Sequence, residues 1–207
     1  MAKAIDRRGF IASAVAATGA LALPVRLPAQ PLTVDSKSAR ILDIARREAH
    51  RNAASLWRLD IVGVADFGIH SSQPRFHFAN LEAGTVQSYL VAHGAGSDPE
   101  QDGWLHWFSN EHGSNATSRG AYISYEWYKG KYGTSVRLGG LEAENSNVLD
   151  RAIVLHSAPY ATQAFVAAHG MLGRSNGCFA MDAKDFPYAL TQLSGGRLIY
   201  ADKLGIV

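Results

Sequence analysis

The segment Arg151-Ala152-Ile153-Val154-Leu155-His156-Ser157 is a short apolar run that ends in a histidine, and downstream of it Gly173-Arg174-Ser175-Asn176-Gly177-Cys178 is a turn-forming run that ends in a cysteine. The first segment predicts a strand that presents an imidazole from its end. The second predicts a loop whose backbone N–H groups are left beside the sulfur. Cys178 is the only cysteine among 207 residues and cannot form an internal disulfide. A thiol attacks as thiolate, so it needs a base or a positive field beside it, and a glycine such as Gly177 lets backbone approach a developing oxyanion. Of the eight histidines, His156 is the best-placed base because a strand end is a fixed platform. His169, in a Gly-flanked loop, is its competitor. The bland alternatives are a satisfied core histidine and a thiol that only fills space.

Outward from this pair the chain reads as short strands with few helices. Asp35 and Ser36 offer N-caps to a helix over Ala39 to Ser55, where Ile41, Leu42, Ile44, Ala45, Ala49 and Ala53 recur near helical spacing. The period then shortens: residues 60–66, 75–80 and 86–92 read as strands, the last two joined by the Glu82-Ala83-Gly84 turn. Residues 93–120 form a polar stretch interrupted by Trp104, Trp107 and Phe108, and a loop of that length in a compact domain is usually functional. Ala121 to Trp127 and Ser135 to Leu138 flank a second hairpin turn. A brief helix is expected over Ala161 to Ala168, a second one between Asp182 and Leu193, begun or broken at Pro187, and a last strand from Arg197 to Tyr200. The sum is a β-rich α+β domain.

Composition bounds the function. An apolar share of 47% with 18% charged residues is that of a globular chain. The formal charge of +2 is carried largely by Lys3, Arg7, Arg8 and Arg26, which leaves a near-neutral body without the basic footprint that nucleic acid requires. Residues 1–29 order a charged start, an apolar run from Ile11 to Leu23 and a small-residue exit, and Arg7-Arg8-Gly9-Phe10-Ile11 resembles a twin-arginine export signal. The run falls short of the roughly 20 residues that span a bilayer. The expected organisation is an export signal over 1–29, a helical segment over 30–58 and a catalytic domain over 59–207, in the periplasm or cell envelope, monomeric and without a stable membrane span once the signal is removed. In an oxidising compartment a lone thiol is either buried filler or kept for chemistry.

The histidine strand followed by Gly-Arg-Ser-x-Gly-Cys resembles the catalytic segment of the murein L,D-transpeptidases, the YkuD-type domain. Ser175, Gly177 and Cys178 match that pattern, whereas Asn176 stands where histidine is usual and Ala180 where Arg or Asn is common. Phe108-Ser109-Asn110, Gly113-Ser114, Gly120-Ala121-Tyr122, Tyr132-Gly133 and Arg137-Leu138 resemble the upstream segments of a divergent branch of the same family. The resemblance covers roughly Asp60 to Ala201. It implies a β-rich α+β fold with a mixed sheet and a few flanking helices, and a cysteine acyltransferase acting on peptidoglycan stem peptides. Cys178 would be the nucleophile, His156 the base, Ser157 the backbone carbonyl that orients the imidazole, and the Gly177 and Cys178 N–H groups the oxyanion site. Arg174, Ser175, Asn176, Tyr132, Ser109 and Asn110 are the candidate substrate contacts. No cofactor and no metal are implied. Transfer of the acyl group to a stem amine would give a 3→3 cross-link, and transfer to water would make a carboxypeptidase. Rival readings are a zinc site drawn from His93, His112, His156, His169 and Cys178, whose spacing matches no tight zinc signature, and a non-catalytic wall-binding module.

Overall fold

In the computed structural model of the chain, residues 35–131 and 133–206 are described, so the leader expected over residues 1–29 and Tyr132 lie outside the described residues. Helix α1 (Ser36–Arg51) begins where the Asp35 carboxylate accepts the Ser38 N–H at 2.9 Å. Its Ile41, Leu42, Ala45 and Ala49 form one apolar stripe buried on Val62, Val64, Ala79, Leu198 and Tyr200. The periodicity predicts helix as far as Ser55, but the helix ends at Arg51 and Ala53–Ser55 tighten into a 3-10 turn. Of the helical segment expected over 30–58, α1 thus packs on the sheet of the domain expected over 59–207.

Among the described residues eight strands follow: β1 (Ile61–Asp66), β2 (Phe76–Asn80), β3 (Thr85–Tyr89), β4 (Gly120–Gly130), β5 (Gly133–Gly140), β6 (Val154–Ser157), β7 (Phe179–Met181) and β8 (Leu198–Asp202). They build one sheet in the order β3-β2-β1-β8-β4-β5-β6-β7. Strand β1 runs parallel to β8 and β6 parallel to β7, and the other neighbours are antiparallel. With helices α2 (Gln163–His169) and α3 (Phe186–Leu193), this is the mixed-sheet, β-rich α+β architecture that the resemblance implies.

All six residues of β1 are buried because both of its faces are covered. Val62 and Val64 face α1, while Ile61 and Ala65 face a larger core shared with Phe76, Leu155, Phe179, Met181 and, from α3, Phe186, Ala189 and Leu193. The sheet curls until its ends meet. Ala92, just past β3, donates its N–H to the Ala180 carbonyl of β7 at 2.8 Å, and Gly94 bridges Ser175. This closure seats the nucleophile loop against residues 92–95.

Two differences from the sequence reading bear on the site. The strand expected over 151–156 starts only at Val154, because Ala152 sits at φ 54°, a left-handed conformation that no strand accommodates. The run Phe179-Ala180-Met181, to which the sequence reading assigns no element before the helix expected from Asp182, forms β7, three residues paired with β6. The helix that follows starts at Phe186 with Pro187 in its first turn, where the missing N–H costs nothing.

Candidate active site

The register of the parallel pair β6 and β7 sets Leu155 against Phe179 and His156 against Ala180. Leu155, Phe179 and Met181 turn into the large core. His156 and Ala180 therefore face the other way, and Cys178, two positions before Ala180, projects to that same side. His156 and Cys178 line one cleft of about 380 Å³ with Ser157, Ala158, Pro159, Tyr160, Arg174, Ser175 and Asn176.

His156 Nδ1 lies 2.9 Å from the Ser157 carbonyl oxygen. A carbonyl only accepts, so Nδ1 carries the proton and the neutral ring keeps its lone pair on Nε2. Burial pushes the imidazole pKa down, opposed by that carbonyl. Burial pushes the Cys178 thiol up, opposed by the Val154 backbone and the Arg151 charge. Both shifts favour the neutral form of the group concerned.

The loop before the nucleophile is braced from within and from below. Ser175 Oγ donates to the Cys178 carbonyl at 2.6 Å and accepts the Gly177 N–H at 3.2 Å. Gly177 sits at φ 108°, and a Cβ there would lie 2.7 Å from the Ala116 carbonyl oxygen. The Ser175 N–H donates to the His93 carbonyl at 2.9 Å, and its own carbonyl accepts from Ala95 at 2.7 Å. In this arrangement the Gly177 N–H is already engaged by Ser175, which leaves the Cys178 N–H as the less encumbered of the two expected oxyanion donors. Ser175 is buried and holds the loop, Asn176 is exposed at the rim, and Arg174 donates to the Asp98 carbonyl while lining the cleft.

Ser109 and Asn110 were expected beside the substrate, but they line a different cavity with Phe108, Glu111, Arg119 and Glu144. The Asn110 amide is consumed by the Ala143 carbonyl and Ser146 Oγ, each at 3.0 Å, and its Oδ1 by the Asn147 N–H. These are the contacts of a loop anchor. The rival zinc set is likewise not gathered: among the described residues the cluster with ligand-forming geometry is Asp98, Asp102 and His106.

Sequence reasoning missed Arg151 as a site residue. Its guanidinium donates to the Ser109 carbonyl (2.7 Å), Ser118 Oγ (2.8 Å), Ser114 Oγ (3.1 Å) and the Ala116 carbonyl (2.6 Å), and so ties residues 109–118 to the start of the histidine strand. The next residue, Ala152, places its carbonyl 3.8 Å from Cys178 Sγ. Arg75 was also overlooked. Fully buried, it donates to Val91, Ile69 and His93 Nδ1 beneath the nucleophile loop. An arginine inside a strand-like run, Pro74-Arg75-Phe76, was the available signal.

The profile of the L,D-transpeptidase catalytic domain matches residues 35–201. The chain belongs to the L,D-transpeptidase catalytic-domain family. Solved structures that align with the chain include an L,D-transpeptidase from Mycobacterium smegmatis, at 16% identity and a TM-score of 0.43 over 69% of this chain and 58% of that one. An L,D-transpeptidase from Mycobacterium tuberculosis aligns at 17% identity and a TM-score of 0.45 over 69% and 57%. The helical cell shape determining protein of Campylobacter jejuni aligns at 12% identity and a TM-score of 0.46 over 78% and 55%. The chain thus spans less than two thirds of each of these structures. No curated protein sequence matches it.

Proposed function

We propose that this L,D-transpeptidase-family chain is an exported cysteine acyltransferase that works on peptidoglycan stem peptides through a Cys178 thioester. The observation that carries the reading is the shared cleft in which Cys178 faces the same side as His156, an imidazole whose Nδ1 is fixed on the Ser157 carbonyl. His156 Nε2 takes the thiol proton as Sγ attacks the carbonyl of the L-centre of the third stem residue. The tetrahedral oxyanion is held by backbone N–H, that of Cys178 foremost. Collapse breaks the amide bond, and the proton on His156 goes to the departing D-alanine amine. A side-chain amine of a second stem then attacks the thioester, gives its proton to His156 and leaves as a 3→3 cross-link, returning the thiol.

Arg174 is the cleft residue whose guanidinium suits a substrate carboxylate. The pair resembles a nucleophile–base–orienter triad in which a backbone carbonyl replaces the carboxylate. Export through the segment at residues 1–29 would deliver the enzyme to its substrate, and among the described residues no helix is long and apolar enough to cross a membrane. The test is product analysis of tetrapeptide muropeptides incubated with wild type and Cys178→Ala. Loss of D-alanine with dimers in the wild type alone supports transpeptidation. Loss without dimers moves the reading to hydrolysis, and equal products from both proteins overturn it.

A further inference from the structure

The long loop that precedes Phe108 carries Asp98-Pro99-Glu100-Gln101-Asp102-Gly103-Trp104-Leu105-His106. Asp, Glu and Asp at alternate positions followed by glycine is the order in which calcium loops present oxygen ligands from their first, third and fifth residues, with glycine at the sixth for the sharp turn and a backbone carbonyl from the seventh. The fold gives this segment the corresponding curl. The Asp98 carboxylate accepts the Asp102 and Gly103 N–H groups at 3.1 Å each, which draws the loop around that side chain. Gly103 lies at φ 83°, where a Cβ would run into the His70 ring.

Ligand atoms of Asp98, Asp102 and His106 lie within 4.8 Å of one another, and Glu100 comes within 4.0 Å of His106 Nε2. Asp98 is fully buried. The positive groups on the protein side are Arg75, which acts on Asp98 through space, Arg174, which donates to the Asp98 carbonyl, and Lys203, whose Nζ donates to the His106 carbonyl at 3.1 Å. Glu100 and Asp102 are the exposed carboxylates where the loop opens to solvent.

A second observation comes from outside the loop. Arg75 Nη2 donates to His93 Nδ1 at 2.6 Å, so the neutral His93 ring bears its proton on Nε2. That Nε2 is enclosed, has no hydrogen-bond partner, belongs to a residue only 1% exposed, and lies 3.5 Å from Asp98 Oδ2. A buried donor held beside a carboxylate, free to bond it when that carboxylate turns to a cation, is how outer-shell groups orient a metal-ligating carboxylate. Nothing in the acyl-transfer chemistry uses it.

We infer that Asp98, Glu100, Asp102, the Trp104 carbonyl and His106 form a binding site for a divalent cation, calcium by the preponderance of oxygen donors, with His93 setting the Asp98 carboxylate. The twelfth loop position, a bidentate glutamate in the tight sites, is Ser109 here. Affinity is therefore expected in the weak range of extracellular modules, about 10⁻⁴–10⁻³ M. The site borders the nucleophile loop through the Arg174–Asp98 contact and through Ser175, which pairs with residues 93 and 95. A bound cation would thus fix the floor under Arg174.

Trp104 lies inside the loop and serves as the antenna for terbium. Titration of the mature protein with Tb³⁺, excited through tryptophan, should give saturable luminescence that Ca²⁺ displaces and an equal concentration of Na⁺ does not. Asp102→Asn, whose side chain is 40% exposed and carries no core packing, should keep the wild-type circular dichroism and lose at least tenfold in Tb³⁺ affinity. Glu100→Gln provides a second surface variant with the same expectation in smaller measure. Absence of saturable luminescence, or equal affinity in wild type and Asp102→Asn, overturns the site. Displacement by Zn²⁺ but not by Ca²⁺ overturns the calcium assignment. None of these readouts depends on acyl transfer.

Discussion

Replacing Gly177 by alanine tests whether the nucleophile loop is held as tightly as its geometry implies. At φ 108° an L-residue is strained, at a cost of about 1–3 kcal/mol. The new Cβ would also stand 2.7 Å from the Ala116 carbonyl oxygen and 3.3 Å from Ile153 Cδ1. The carbonyl belongs to backbone that Arg151 holds at 2.6 Å, so it cannot retreat without breaking that bond. Overpacking of this kind costs about 1–3 kcal/mol more, giving a loss of about 2–6 kcal/mol unless the loop moves. If it moves, Sγ is displaced from His156, and a shift of about 1 Å is expected to cost about 100-fold in turnover. Gly170→Ala is the control: it also has positive φ, at 76°, but nothing lies within 4 Å of its Cβ, so only the backbone cost applies. Urea melts and initial rates of D-alanine release on both variants separate the terms. The reasoning is refuted if Gly177→Ala matches Gly170→Ala in stability and keeps wild-type turnover.

Three further outcomes follow from the same geometry. Because burial raises the Cys178 thiol, the rate of iodoacetamide alkylation should climb with pH to a half-maximum above that of free cysteine, and a half-maximum below pH 7 would mean a resting ion pair instead. Arg151→Ala strips four acceptors of their charged donor and should lower stability by about 2–4 kcal/mol, with Arg151→Lys between it and wild type; denaturation curves that overlay wild type would show that residues 109–118 do not depend on it. His77 is buried and held neutral, with its pKa pushed down to about 4, chiefly by desolvation. The unfolded chain binds the proton first, so stability should fall as pH drops from about 6.5 to 4, by roughly 3 kcal/mol from this group. His77→Gln should flatten that part of the stability–pH curve, and an unchanged slope would exclude His77 as its source.

The sequence was legible where local pattern and tertiary context agreed. The α1 stripe, the β2–β3 and β4–β5 hairpins and the pairing of a strand-end histidine with a Gly-flanked cysteine all rest on short-range signals, and each stands at or near its expected place. Legibility failed where long-range contacts decide. Strand β7 is only three residues long, and its extended form comes from pairing with β6 and Ala92 rather than from its own composition. The left-handed Ala152 truncates β6 in a run that reads as continuous strand. Ser109 and Asn110 resemble a family motif, yet the contacts of Asn110 with residues more than thirty positions away show that they anchor a loop, a role no local pattern encodes. Arg75 and His93 form a buried polar pair beneath the nucleophile that only the curled sheet brings together.

The central claim is that acyl transfer runs through Cys178. Rapid quenching of the purified protein with a tetrapeptide substrate, followed by intact-mass and peptide-mapping measurement, tests it directly. The account predicts a transient mass gain equal to the substrate less D-alanine, mapped to Cys178, absent from Cys178→Ala and slower to form in His156→Gln. Release of D-alanine by Cys178→Ala at the wild-type rate, or wild-type turnover with the adduct on another residue, would contradict it.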